Sequence, residues 1–477
     1  MQNLLKPGRL LVLGILLLLG PCLSLRGQHD DPHPDKKHGI PESERQGSHA
    51  QITRAKDLFT KGSIAGHLRN YFMSTLNQGD LTDYYADAIG GAMRYESPEF
   101  HGFHFGAAGI FTYKAFSSDL NAPDPTTGEV ARWEHELFDI LDTDNFQDLD
   151  RLEELYLQYS FAKGYVTYGK LEIEDTPLMN RTDNRMKPFA FKGVWFHLQV
   201  KEQHALFLSW IDRISPRSTV EWFDFNEGIG LADNGFQPDG SEAEYRENQE
   251  SKGVALLGFE GAQHNWRLKV YQWYIHHLNQ TSWLELGYTQ KNWDIGLQYS
   301  LQFPLSYQRE LPYEQRYMQP DERGQVLSGQ VRYRSGDWTL RGAFSQAFSS
   351  GRFLFPRELG RDQFYTSIQR SRLEGFGDTQ VLTLAGEYTL APKRLSAGLE
   401  WTRLWGPETG TYTFNKYDLD AYWQVNASLH YSFSNFMDGL SIDFLYVYKE
   451  NSNDTRPETI FNRSNYHQFN LITHFVF

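Results

Sequence analysis

Cysteine is almost absent from the 477 residues: there is one, Cys22. It lies in an opening stretch laid out as a secretory signal peptide, in which Lys6 and Arg9 precede an apolar run over 10–19 and then Gly20-Pro21-Cys22-Leu23-Ser24. Cleavage after Ser24 or after Gly27 removes Cys22 and leaves a mature chain without thiol chemistry; lipidation at Cys22 is the rival reading, which Pro21 fits poorly. Beyond this signal, assigned to 1–27, no run of 18 apolar residues remains, so no transmembrane helix is available and a spanning chain has to be a closed barrel. A surplus of positive charge is missing too. The formal charge of −14 speaks against a nucleic-acid partner, which needs a basic surface. Neither G-x-S-x-G nor H-E-x-x-H occurs, and the chain is expected to be no enzyme, with no cofactor and no resident metal.

Residues 28–61 lack apolar periodicity over most of their length and read as a periplasmic leader, largely disordered. His29, His33, His38 and His49 would make part of it a metal tract on the sharper reading, but a site needs fixed geometry where disorder needs only polarity.

From Gly62 onward the pattern has period two. Leu155, Leu157, Tyr159 and Phe161 alternate with Glu154, Tyr156, Gln158 and Ser160, and Trp293, Ile295, Leu297, Tyr299 and Leu301 with Asp294, Gly296, Gln298, Ser300 and Gln302. Trp423 to Tyr431 and Leu440 to Tyr448 repeat it. Eighteen such segments begin near 62, 88, 102, 152, 164, 191, 204, 253, 265, 282, 293, 327, 337, 381, 393, 421, 439 and 466. Short turns at Ala162-Lys163-Gly164, Glu202-Gln203-His204, Ser335-Gly336-Asp337 and Ala391-Pro392-Lys393 alternate with long polar stretches near 116–151, 214–252, 303–326 and 348–380. That asymmetry is the one outer-membrane barrels show between periplasmic turns and extracellular loops. The expected fold is an all-β transmembrane antiparallel barrel of about 18 strands over 62–477, with both termini periplasmic. A soluble sandwich also alternates, but it has no use for Tyr, Trp and Phe at so many strand ends, and so wide a ring closes around water.

The final strand, with Phe469, Leu471, Thr473, Phe475 and Phe477 on one face, resembles the carboxy-terminal signal read by the barrel-assembly machinery. The segments 62–73, Gly90-Gly91-Ala92-Met93-Arg94-Tyr95 and Gly102-Phe103-His104-Phe105-Gly106 resemble the first strands of the OprD-type specific-channel porins, in a Bacteroidetes-like form. Tyr168-Gly169-Lys170, Asp175-Thr176-Pro177-Leu178, Asp183-Asn184-Arg185, Pro188 and Phe191-Lys192-Gly193 look like that family's segment around the loop folded into the pore. The resemblance covers most of the mature chain, closely at its start and only in strand rhythm afterwards. It implies passive uptake of small hydrophilic solutes such as amino acids, short peptides, carboxylates or sugars, in outer-membrane lipid, as a monomer or a trimer.

By that analogy the constriction runs over about 174–190 and carries Arg181, Arg185 and Lys187 beside Asp175 and Asp183. Charged groups there would replace the water a solute sheds, and a transverse field would orient a carboxylate or zwitterion. The plainer reading has Asp183 and Arg185 pair to hold the loop, which makes Arg181 the better pore residue. Parity places Arg69, Arg94, Arg332, Arg334, Arg341, Glu285, Asp294 and Glu400 on the lumen wall, since a charge facing lipid at midplane costs roughly 2 to 4 kcal/mol. Other chemistry is faint. Gly164 to Lys170 spells a phosphate-loop pattern without its Ser/Thr, and Asp142, Asp144, Asp148 and Asp150 read as a solvated acidic loop rather than a Ca²⁺ site. His276-His277 is the only hint of a hydrolase. A surface adhesion barrel without an open pore is the remaining alternative.

Overall fold

The computed structural model describes residues 53–54, 56–173, 176–181, 185–390 and 394–477. The signal segment, most of the leader, Cys22, the four leader histidines, Asp175, Asp183 and the Ala391-Pro392-Lys393 turn lie outside the described residues.

Nineteen strands form one antiparallel sheet: β1 (Ser63–Asn77), β2 (Tyr84–Glu96), β3 (Phe103–Ser117), β4 (Arg151–Phe161), β5 (Gly164–Leu171), β6 (Ala190–Lys201), β7 (His204–Ser215), β8 (Phe223–Asp224), β9 (Val254–Gln263), β10 (Trp266–Ile275), β11 (Asn279–Gln290), β12 (Trp293–Pro304), β13 (Gln325–Ser335), β14 (Trp338–Ala347), β15 (Thr379–Leu390), β16 (Leu395–Trp405), β17 (Tyr422–Ser432), β18 (Leu440–Asn451) and β19 (Tyr466–Val476). The two-residue β8 pairs with β7 alone, while β7 continues the ring directly to β9. The barrel therefore has 18 staves. It closes where β1 pairs with β19 from His67↔Val476 to Asn77↔Tyr466. At that seam the Gly66 and Phe477 backbones exchange two hydrogen bonds of 2.9 Å, which ties the last residue into the ladder.

Alternation decides which way each side chain points. On β12, Trp293, Ile295 and Leu297 are about half exposed, whereas Asp294, Gln298, Ser300 and Gln302 are buried. In a water-soluble protein that distribution would be inverted. Here the exposed apolar face is the one lipid covers, so the barrel spans a membrane. Cross-strand pairs Trp266–Tyr288, Trp293–Tyr333 and Trp338–Tyr388 place rings 4.6–4.7 Å apart beside the short turns, a girdle at that rim. A ring with every strand paired leaves no edge for detergent to open. The folded protein is expected to run faster on SDS gels unheated than boiled; one mobility at both temperatures, or a far-UV CD spectrum dominated by helix, would contradict the barrel.

Two findings depart from the sequence reading. Order begins before residue 62: Asp57–Thr60 is a helical turn, the Leu58 carbonyl accepts from the Tyr95 hydroxyl, and Phe59 lies 5.4 Å from the Phe105 ring. The lumen is also not polar throughout. Inward-facing Trp195, Phe207, Ile211, Leu256, Trp273, Trp283, Val326 and Val381 pack with Phe225, Met318, Phe353 and Phe364 from the long loops, in one apolar cluster inside the ring. So part of the inner wall is covered by folded loop.

Candidate pore constriction

Three long loops meet inside the barrel. The 348–378 loop folds inward along the wall: the Tyr365 amide donates to Gln298 Oε1 (3.1 Å) and Ser328 Oγ (3.2 Å), Thr366 and Ser345 share a 2.7 Å bond, Gln424 reaches the Gln369 carbonyl (2.6 Å), and Arg370 Nε reaches Gln468 Oε1 (2.7 Å). These partners stand on β12, β13, β14, β17 and β19, so the wall's buried amides and hydroxyls are what hold the loop in. It joins the 172–189 loop where Asn180 Nδ2 donates to the Arg361 carbonyl (2.7 Å) and the Gln363 amide to the Pro177 carbonyl (3.1 Å). The 118–150 loop enters through Glu134, which accepts from Thr75 Oγ1 on β1 (2.6 Å), and Glu136, which pairs with Arg185 (2.7 Å) and Arg217 (3.1 Å).

Charge separates into two patches. In one, Arg94 faces Glu96 (2.7 Å), Glu154 (3.4 Å) and Glu172 (3.5 Å), and Arg181 faces Glu172 (3.0 Å) and Glu153 (3.3 Å). Carboxylates outnumber these two cations. The other patch is basic. Arg132, Arg370, Arg372 and Lys449 make no ion pair among the described residues. Arg132 and Arg370 both lie over the Trp133 ring, at 5.4 and 5.5 Å, and Lys449 Nζ sits 3.9 Å from the Tyr422 ring with a 3.5 Å reach to the Arg370 carbonyl. Aromatic faces hold Arg132, Arg370 and Lys449 in place without neutralising them. Burial, with repulsion from Arg185, Arg372 and Arg370, holds Arg217 below the ordinary arginine value although Glu136 opposes it.

Several solved barrels superimpose on this one. OccK9 (OpdG) of Pseudomonas aeruginosa gives a TM-score of 0.69 at 14% identity, and OccAB2 of Acinetobacter baumannii 0.68 at 12%, each over 88% of this chain and 99% of the other. OpdK of Pseudomonas aeruginosa, solved with vanillate, gives 0.66 at 15% over the same shares. The fold is that of the OprD-type porins. No protein-family model matches the chain, and neither does any curated protein.

Within this porin fold the wall charges stand where parity puts them. Arg69 donates to the Arg185 carbonyl (2.6 Å), Arg341 pairs with Glu400 (3.0 Å) and holds the Tyr365 carbonyl (2.6 Å), and Asp294 pairs with Arg267 (2.7 Å). Glu285 accepts from Gln298 (2.9 Å), Arg332 is buried and Arg334 half-buried. Most of them brace the wall or the inward loop. The loop residues divide differently. Arg185 and Lys187 are each 1% exposed, Arg185 on Glu136 and Lys187 with no hydrogen-bond partner for its Nζ among the described residues, while Arg181 sits among carboxylates. Beside Lys187, Arg132, Arg370, Arg372 and Lys449 make no ion pair among the described residues, and none of these four stands in the segment that resembles the constriction. For Lys449 a signal existed: it shares the inward parity of Asp443 on β18.

The hydrolase hint fares differently from the pore residues. His276 and His277 stack on each other at 3.8 Å and His277 on Tyr307 at 4.0 Å. A Ser-His-Asp chain does occur elsewhere: His430 contacts Asp443 Oδ1 through Nδ1 (2.6 Å) and Ser432 Oγ through Nε2 (2.8 Å). His430 and Asp443 are direct cross-strand partners in a ladder that uses the backbone amides an oxyanion would need, so the trio reads as a wall pair. In the acidic loop, Asp142 Oδ1 accepts the Asp144 amide (3.3 Å) and Asp144 accepts from Asn121 (2.7 Å), both of which are turn contacts.

Proposed function

We propose that the chain is an outer-membrane porin with its long loops outside and both termini in the periplasm, passing small hydrophilic solutes and favouring those that carry a carboxylate. The observation that carries this reading is the set of four lumen cations that make no ion pair among the described residues. An anion entering the constriction exchanges water for guanidinium and ammonium donors, three of them already held by aromatic faces, so little reorganisation is required. The acidic patch around Arg94 and Arg181 would attract the ammonium end of a zwitterion, which extends the range to amino acids and short peptides. OpdK, a structural neighbour solved with vanillate, lends support because vanillate is itself a carboxylate.

Reconstitution in a planar bilayer tests the proposal. Discrete conductance steps are expected, with a zero-current potential on the anion side in a KCl gradient and faster liposome swelling for carboxylates than for neutral sugars of equal size. The apolar cluster of Trp273, Trp283, Phe353 and Phe364 favours the second reading, a plugged adhesion barrel. Folded protein that inserts and carries no current would establish that reading.

A further inference from the structure

The exterior of the barrel carries a feature that transport does not explain. Three cations stand side by side on adjacent strands: Lys170 on β5 is the direct partner of Lys192 on β6, and Lys192 of Arg213 on β7. All three share the outward face. The preceding outward row is Tyr168↔Val194↔Trp210, in which Tyr168 is 58% exposed. Each strand carries its cation near the long-loop end. The placement over a Tyr-Val-Trp row puts the charges at headgroup depth, about 7 Å beyond the last lipid-facing side chains at roughly 3.3 Å per residue.

Like charges directly opposite one another across a ladder repel. Among the described residues none of the three has an ion-pair partner. Asp224, opposite Arg213, spends Oδ1 on the Asn226 and Glu227 amides (2.9 Å each). Lys170 Nζ reaches only the Leu152 carbonyl (3.3 Å) and lies 4.4 Å from the Trp222 ring, whose Nε1 donates to that same carbonyl (3.2 Å). The row thus has a rigid aromatic side wall, three donors and no ion-pair partner among the described residues, with Asp224 the one carboxylate paired to it across the ladder.

We propose that Lys170, Lys192 and Arg213 form a binding site for the phosphates of a glycolipid in the leaflet bordering the long-loop rim, with Tyr168 and Trp210 against its acyl chains and Trp222 beside the headgroup. A multiply phosphorylated sugar headgroup supplies several negative charges at fixed spacing, which matches a row of cations better than a single phosphodiester does. This rests on the reading that the long loops face outside, because a phosphorylated glycolipid is a component of the outer leaflet.

The test is native mass spectrometry of the detergent-solubilised protein titrated with lipid A, with enzymatically dephosphorylated lipid A, with phosphatidylcholine and with inorganic phosphate. Lipid A is expected to be retained at least tenfold more strongly than either control lipid, and K170Q/K192Q/R213Q to lose that preference. K170R/K192R, which keeps the charges, should retain it, and heat-modifiable mobility reports that each variant is folded. Equal retention of phosphorylated and dephosphorylated lipid, or unchanged retention in the triple glutamine variant, overturns the proposal. Displacement of lipid A by millimolar phosphate also overturns it, by reducing the row to a general anion site. Bilayer conductance and protease access to the loops on intact cells report the porin reading separately.

Discussion

Arg370→Glu with Arg372→Glu is expected to turn an anion-favouring pore into a cation-favouring one. A unit charge about 5 Å from a solute contributes roughly 0.8 kcal/mol even at the dielectric of water, so reversing two changes the local energy of a carboxylate by about 3 kcal/mol before screening. Salt reduces that, with a Debye length of about 8 Å at physiological strength. An effect on the order of tenfold on carboxylate swelling rates should survive, with a zero-current potential that changes sign. Neither side chain makes an ion pair among the described residues, and Arg370 loses its bonds to Gln468 and Asn470 and its place over the Trp133 ring. Wild-type selectivity in a folded double variant would remove the basic patch from the transport path.

The second large effect belongs to Glu136. Its carboxylate binds Arg185 at 3.0 and 2.7 Å and Arg217 at 3.1 Å, and its carbonyl accepts from Ser218, so one residue ties together three loops. Burial would push its pKa up, but the Arg185 and Arg217 guanidiniums hold it down to about 2. A depressed carboxylate contributes stability above its unfolded value, near 4.3, and loses it only as pH falls through the folded value. The tie should therefore persist from neutral pH well into acid. Glu136→Gln removes the charge on which Arg185 and Arg217 converge, a cost of about 3–5 kcal/mol borne by the loops while the strand ladder stays intact. Raised and noisy single-channel conductance with unchanged SDS resistance is the expected result, partly restored by Glu136→Asp. A quiet, wild-type conductance would show that the loops are held elsewhere.

The strands were legible because lipid on one face and lumen on the other impose a period of two. Every barrel strand begins within four residues of the position read from the pattern, and the largest offset, at β2, starts at Tyr84 where 88 was expected. Alternation weakens where both faces are apolar, as at Tyr271, Trp273 and Ile275 against Val270 and Tyr274, and there the packed interior was invisible. The constriction was harder to see for another reason. Arg181 could not be matched to Glu153 from sequence, nor Arg185 to Glu136, because loops folded against one another carry no periodicity. Arg370 and Arg372 lie in a stretch read as an outer loop, and its hydrogen bonds to β12, β13, β14, β17 and β19 reveal that it turns inward.

The closure between β1 and β19 also governs how the chain must fold. Every other neighbouring pair around the ring is joined by a single turn or loop, so successive hairpins can form in order of synthesis. The last pairing joins Asn77 to Tyr466 and has to wait for the whole chain. Contacts so distant in sequence are slow to form, because the entropy of closing the intervening loop is lost before any contact repays it. Until Phe477 reaches Gly66, the intermediate is an open ribbon with two unpaired edges, each of which could take up a strand from another molecule. A ribosome that stops short of β19 would release a chain that adheres to its neighbours.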